Sequence, residues 1–232
     1  VIAVRSEDCR RLRVWFAKSG RAAYISHLDL NRCMTRAVRR ARLPLWYTEG
    51  FNPHPYITFA LPLPLGQEGE AEPMDIRVEG DMEPEEIKNR LAAVMPEGLS
   101  VTGVDTPRLE PKEIGCAEYE IVLDFANEAE ARLFAEKAAE LINNEELTAG
   151  KPGKQGGKKV MKQVALSAYI REHSLACEQN RVCLKATLAA GNTTNLNPDL
   201  LLDSLRHATG LEEANKRIVR KRLLTADFQA FR

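Results

Sequence analysis

The chain has 232 residues, room for two domains of ordinary size or one large one, and 44% hydrophobic with 28% charged residues excludes a disordered or collagen-like chain. No apolar run approaches the ~20 residues that cross a bilayer as a helix, and the start Val1-Ile2-Ala3-Val4-Arg5 lacks the apolar core and cleavage site of a secretory signal. Basic and acidic residues cancel at 33 each, but unevenly: Arg10 to Arg42 carries ten Lys/Arg against Asp29 alone, and Glu49 to Glu97 carries eleven acids against Arg77, Lys88 and Arg90. A neutral total thus conceals a basic stretch of the kind that meets polyanions.

The first element is a strand at Leu12 to Phe16, punctuated by Gly20 before the short run Ala23-Tyr24-Ile25. A helix follows, with Ser26 as N-cap and Asp29 three positions on, a capping-box-like pair that satisfies free backbone N–H groups. At 100° per residue Leu30, Met34, Ala37 and Ala41 form one stripe that faces a core, while Arg32, Arg36, Arg39 and Arg40 fall opposite. Pro44 ends the helix, because its ring and missing N–H cannot continue the ladder.

Leu45 to Gly66 holds two short apolar runs around a Gly-Phe-Asn-Pro-His-Pro turn, and its proline-rich end, Leu61 to Gly66, cannot be a central strand. Met74 to Glu79 alternates as a strand, Pro84 to Met95 has helical periodicity, and Leu99 to Val104 is a further strand. The order βαββαβ then returns: a strand at Tyr119 to Phe125, a helix at Glu128 to Ile142, strands near Val164 to Cys177 and Val182 to Leu188, a helix at Asp199 to His207, and a strand near Ile218 to Phe228. The expected fold is α+β, two tandem ferredoxin-like domains with antiparallel sheets, residues 10–108 and 115–232, joined by the Pro-containing stretch Thr106 to Ile114. Lys151 to Lys159, rich in Gly and Pro, is expected as a flexible basic loop at 151–159 within the second domain.

Cys9, Cys33, Cys116, Cys177 and Cys183 lack the close pairs of a disulfide framework or a zinc site, so reduced thiols in a cytoplasmic protein are expected. The chain does not begin with Met, which fits a piece of a longer polypeptide and leaves an upstream fusion partner conceivable.

Tyr24 to Gly66 reads YISHLDLNRCMTRAVRRARLPLWYTEGFNPHPYITFALPLPLG, preceded by Phe16-Ala17-Lys18-Ser19-Gly20. With Ser-His-Leu-Asp-Leu at 26–30 and Gly-Phe-Asn-Pro-His-Pro at 50–55, this region resembles the radical-SAM-linked protein family. The resemblance covers about Arg10 to Val78 and thins beyond. It implies a radical SAM protein as neighbour or fusion partner, of the type with cobalamin-binding-like domains, and it carries over no catalytic residue. The chain lacks the CxxxCxxC of a radical SAM cluster, a P-loop, a dinucleotide fingerprint and a nucleophile elbow.

His27 in the first helical turn, Asp29 beside it and His54 between two prolines are the candidate catalytic residues. If the 50–55 loop meets the helix start, Ser26, His27, Asp29 and His54 would suit phosphate binding or acid–base chemistry. If it does not, Ser26 and Asp29 are caps and His27 packs on the sheet. No local spacing gathers metal ligands, and neither a metal nor a cofactor is expected.

For nucleic-acid contact the candidates are Lys18, Arg32, Arg36, Arg39 and Arg40, then Lys154, Lys158 and Lys159, then Arg217, Arg220 and Arg222. Guanidinium forks match phosphate, and Trp15, Tyr24, Trp46, Tyr47 and Phe51 near the first cluster could stack bases. An arginine stripe is also what a plain solvated helix face looks like, Trp15 could be core, and the 216–222 cluster could guard an edge strand. The leading expectation is an RNA-interacting accessory protein that works beside a radical SAM enzyme in RNA modification or processing, without activity of its own. The alternatives are a module docking on that partner through the acidic 68–86 segment, and an RNA-processing or modifying enzyme using His27 and His54.

Overall fold

The computed structural model describes residues 9–155, 158–191 and 194–232 and, within them, the side chains other than those of 151–162. Its elements are β1 (Cys9–Lys18), α1 (His27–Arg40), β2 (Ile57–Phe59), β3 (Gln67–Glu79), α2 (Pro84–Ala92), β4 (Leu99–Asp105), β5 (Ile114–Asp124), α3 (Glu128–Asn143), β6 (Thr148–Gln155), β7 (Lys158–Ala165), β8 (Ile170–Glu178), β9 (Arg181–Ala189), α4 (Pro198–Thr209) and β10 (Asn215–Thr225). The class is α+β, with mostly antiparallel strands. Among the described residues no helix is long and apolar enough to cross a membrane.

The chain forms two compact units. The first runs through Glu113 and takes in Arg220–Leu223 and Ala230–Arg232; the second holds Ile114–Val219 and Leu224–Gln229. Linear order suggests an unbroken second domain from 115 to 232, whereas these two late segments belong to the first unit. A segment's allegiance is set by the residues it packs on, which linear order does not reveal.

In the first unit β1 lies between β3 and β4, and β2 pairs with β3, every pairing antiparallel. Alternation on β1 explains the layering: Leu12, Val14 and Phe16 are buried with Met74, Ile76 and Val78 of β3 and with Leu30, Met34 and Val38 of α1. The register sets Leu12 opposite Ile76 and Val14 opposite Met74, so equivalent apolar side chains meet on one face. The other face of β1 carries Arg11, Arg13 and Trp15. Full burial of each large apolar side chain of α1 contributes roughly 1.5–3 kcal/mol.

Two local expectations are corrected. β3 begins at Gln67 and passes through Pro73; the proline donates no bond, but its carbonyl accepts from Ala60 N–H at 3.1 Å. The 151–159 stretch is not one loop: β6 and β7 pair as a separate two-stranded ribbon, with Pro152 opposite Met161. A ribbon outside the main sheet leaves strand edges unpaired, where proline's missing donor matters little. Residues 156 and 157, between its strands, lie outside the described residues, as do the side chains of Lys154, Lys158 and Lys159.

In the second unit the strand order is β10-β5-β9-β8. α3 is capped by Asn127, whose Oδ1 accepts from Glu130 N–H at 2.9 Å. α4 opens with Pro198 and stops at Gly210, whose φ of 71° is the left-handed turn that glycine adopts without a Cβ penalty.

Candidate polyanion-contact face and motif loop

The Ser-His-Leu-Asp-Leu motif builds the start of α1. Ser26 Oγ accepts from Asp29 N–H at 3.1 Å and donates to Asp29 Oδ2 at 2.7 Å. Arg32 Nη1 donates to Asp29 Oδ1 at 3.2 Å. The Ser26 hydroxyl, and after it Arg32, hold the Asp29 carboxyl below the usual carboxylate range. Asp29 is thus engaged by the cap and the next turn, and His27 turns elsewhere: its ring meets the edge of Phe59 at 5.0 Å between centroids.

The Gly-Phe-Asn-Pro-His-Pro motif is the tip of a narrow excursion between α1 and β2. Its stem is closed by Tyr56 N–H to Trp46 C=O at 3.1 Å, Thr48 N–H to His54 C=O at 2.9 Å, and a bridge between Tyr47 and Pro55. Arg77 of β3 anchors the base, its guanidinium 5.2 Å from the Trp46 ring and 4.5 Å from Tyr56. At the tip Phe51 is wholly exposed, and Gly50 has a φ of 131° that other residues rarely adopt. His54 Nδ1 lies 3.0 Å from Thr48 Oγ1 and 3.1 Å from Asn52 C=O. The carbonyl only accepts, which favours a hydrogen on Nδ1.

The two histidines therefore keep different company, and among the described residues no hydrogen bond or ring contact joins them. The link between loop and helix lies at the other end of α1, where the Arg39 guanidinium stands 6.0 Å from the Tyr47 ring. Arg39 is twelve residues beyond His27, about 18 Å along a helix axis. Among the described residues no group of three His, Cys, Asp or Glu is arranged to hold a metal.

The arginine stripe divides. Arg32, Arg36 and Arg39 are exposed; Arg32 is paired to Asp29, Arg39 faces Tyr47, and Arg36 makes no ion pair among the described residues. Arg40 is also exposed but spends a guanidinium N–H on Val94 C=O at 2.9 Å.

Two residues expected on the polyanion-contacting surface are inside the first unit. Lys18 is 1% exposed and donates to Ala23 C=O at 3.2 Å. Burial pushes its pKa down and nearby Arg220 adds to this, while Glu72 opposes both. Arg220 is equally buried and pairs with Glu72 and the Leu61 carbonyl. Neither can reach a polyanion in solvent. The 216–222 cluster is correspondingly split: Lys216 pairs with Asp199 at 2.5 Å, Lys221 with Glu70, and Arg217 and Arg222 are exposed in different units. Within the acidic 68–86 segment Glu72 is buried against Arg220 and Glu70 pairs with Lys221, while Glu85 and Glu86 form exposed pairs with Lys88 at 3.1 Å and Arg90 at 2.5 Å.

Sequence reasoning missed the sheet face opposite α1. There Arg13, fully buried, donates to Asp75 at 2.7 and 3.1 Å, and its guanidinium lies 4.5 Å from the Phe231 ring. Alternation on β1 signals that Arg11, Arg13 and Trp15 share a face; nothing local signals that Phe231 covers it.

Against known proteins, a family model described as "Uncharacterized protein conserved in bacteria (DUF2344)" matches residues 11–198. The chain belongs to this family. The match spans both motifs, α1 and most of the second unit. No curated protein matches the chain. A crystal structure of an unknown protein from Galdieria sulphuraria aligns over 90% of this chain and 97% of that one at 12% identity, with a TM-score of 0.26, too low to bear on fold or function.

Proposed function

We propose that this family member contacts RNA through the outer face of α1 and the adjoining motif loop, as a cytoplasmic accessory to a radical SAM enzyme in RNA modification or processing. The observation that carries the RNA half is the exposed row Arg32, Arg36 and Arg39, continued through Arg39 and Tyr47 into a loop that ends in the exposed Phe51. Guanidinium groups bind phosphates, and an aromatic beside them supplies a stacking surface for unpaired bases. The partner half rests on the resemblance carried by residues 26–30 and 50–55.

We read each unit as ferredoxin-like. The element orders β1-α1-β2-β3-α2-β4 and β5-α3-β8-β9-α4-β10, with the last strand of each set beside the first, support that reading, and β6–β7 is then an insertion. Fold alone assigns no activity.

The test is binding of a single-stranded RNA to the full chain over a salt series, beside the variant carrying Arg32→Gln, Arg36→Gln and Arg39→Gln. The log–log salt slope should flatten by about 0.7 for each phosphate that the variant no longer neutralises. The core side of α1 is untouched, so the variant should unfold at the parent's temperature. Equal affinity and equal slope would reduce this face to solvated surface and return the choice to protein docking.

A further inference from the structure

On the helix-free face of the first unit, a cavity of about 410 Å³ is lined by Trp15 of β1, Thr102, Gly103 and Asp105 of β4, Arg222 of β10, and Phe231, among others. Its size falls in the ~300–1,000 Å³ typical of small-molecule sites. A second cavity of about 490 Å³ shares Asp105 and Arg232 with it and adds Thr106 and Arg108. We infer that the two adjoining cavities form a nucleotide site, taking a planar base against Trp15 in the first and a phosphate between Arg222 of the first and Arg108 of the second.

Four features carry the inference. Trp15 is held at both ends of its indole: Nε1 donates to Asp105 Oδ2 at 3.1 Å, and Phe231 meets the ring edge-on at 6.4 Å and 71°. A fixed indole loses little entropy when a ring stacks on it. Gly103 is the cross-strand partner of Trp15 and lines the cavity; a Cβ there would stand 3.6 Å from Trp15 Cδ1, in ordinary contact, so a longer side chain at this position would extend along the indole. Behind both aromatic rings lies the buried Arg13, whose Nη1 has no hydrogen-bond partner among the described residues; its cation 4.5 Å from Phe231 and 5.9 Å from Trp15 fixes the aromatic wall.

The charge around the opening favours an anion. Among the side chains lining the two cavities, Arg108, Arg222 and Arg232 are cationic beside Lys221, which is paired to Glu70, and the acidic one is Asp105, engaged with Trp15. Aromatic side chains on an open sheet face are also where sheet-based RNA-binding modules stack bases. The site is separate from the α1 surface, so either can fail without the other. The chemistry is that of a nucleotide, whether free or within an RNA strand.

The chain has two tryptophans, so Trp46→Phe leaves Trp15 as the sole indole reporter. In that background the fluorescence is titrated with the four ribonucleoside monophosphates, adenosine, inorganic phosphate and a short single-stranded RNA. Saturable quenching by a monophosphate, at least tenfold tighter than by adenosine or phosphate, is expected for a free nucleotide; quenching by the RNA alone assigns the site to a nucleotide within a strand. Gly103→Leu, which fills the cavity, should weaken the effective ligand at least tenfold, and Arg108→Gln and Arg222→Gln severalfold each. These arginine changes lie at exposed positions and keep the test decisive if Gly103→Leu does not fold. No saturable quenching by any probe, or arginine variants that bind as the parent does, overturns the proposal.

Discussion

Arg220 of β10 and Glu72 of β3, 148 residues apart in the chain, meet as a buried ion pair: Arg220 Nε donates to Glu72 Oε1 at 2.9 Å, and its Nη2 reaches both Oε2 and the carbonyl of Leu61, the latter at 2.8 Å. Lys18 lies near enough for both charges to act on it. The pair explains why a segment so late in the sequence belongs to the first unit.

Removing one partner should therefore be severe. Arg220→Met leaves the Glu72 carboxylate buried beside Lys18 alone, and Glu72→Leu leaves two buried cations; either should cost about 3–5 kcal/mol in chemical denaturation. The double variant should recover part of that loss, since the charge it leaves buried is that of Lys18 alone, whose pKa burial already pushes down. Additive losses in the double-mutant cycle would show that the pair itself contributes little.

The second unit has a pH-sensitive counterpart. Burial alone would raise the pKa of Glu213, but the Arg206 hydrogen bonds, one at 2.8 Å, a backbone hydrogen bond and the charges of Arg206 and Lys216 together outweigh burial and hold it below its ordinary value. The folded state thus binds its proton later than the unfolded state does as pH falls. Its contribution is complete above the unfolded carboxylate pKa and is lost as pH drops through the lowered folded one. Glu213→Gln should cost about 1.5–3 kcal/mol at neutral pH, and the gap from the parent should narrow steadily below about pH 4.5. A gap that stays constant down to about pH 2, below the ordinary carboxylate range, would contradict this.

At the start of α1, Ser26→Ala removes both the cap of Asp29 N–H and the hydroxyl bond to its carboxylate. About 1 kcal/mol of stability should go, and the Asp29 pKa, followed by NMR titration, should rise toward the ordinary carboxylate value. An unchanged Asp29 titration would mean that Arg32 alone sets it.

Gly98 has a φ of 82°, and a Cβ there would sit 2.7 Å from Ser19 C=O and 2.8 Å from the Ala22 Cβ. Its own carbonyl accepts from Ser19 N–H at 2.8 Å. Gly98→Ala combines a strained backbone with a clash against main chain and should lose roughly 1–3 kcal/mol, whereas Gly80→Ala, with a φ of 71° but nothing within 4 Å, should lose less. Equal thermal shifts for the two would show that backbone strain alone matters.

Wherever the governing physics is short-range, the order of residues is enough to foresee the outcome. The N-cap at Ser26, the buried stripe of Leu30, Met34, Ala37 and Ala41, and the alternation of Leu12, Val14 and Phe16 follow from 3.6- and 2-residue periods and from side chains reaching their own backbone. Meetings between distant segments emerge only when the chain folds. Arg220 and Lys18 are chemically indistinguishable from surface cations until Glu72 and the surrounding strands enclose them. His27 and His54 could share a pocket in the linear reading; Phe59 and Thr48 claim them separately. The cavity beside Trp15 is lined by Gly103, which β4 places across from it, and by Phe231, which returns from the far end of the chain. Local sequence sets which side chains share a face, but the free energy of burying a charge or opening a cavity depends on what covers that face, and here that cover comes from residues far away along the chain: 90 positions between Trp15 and Asp105, 148 between Glu72 and Arg220.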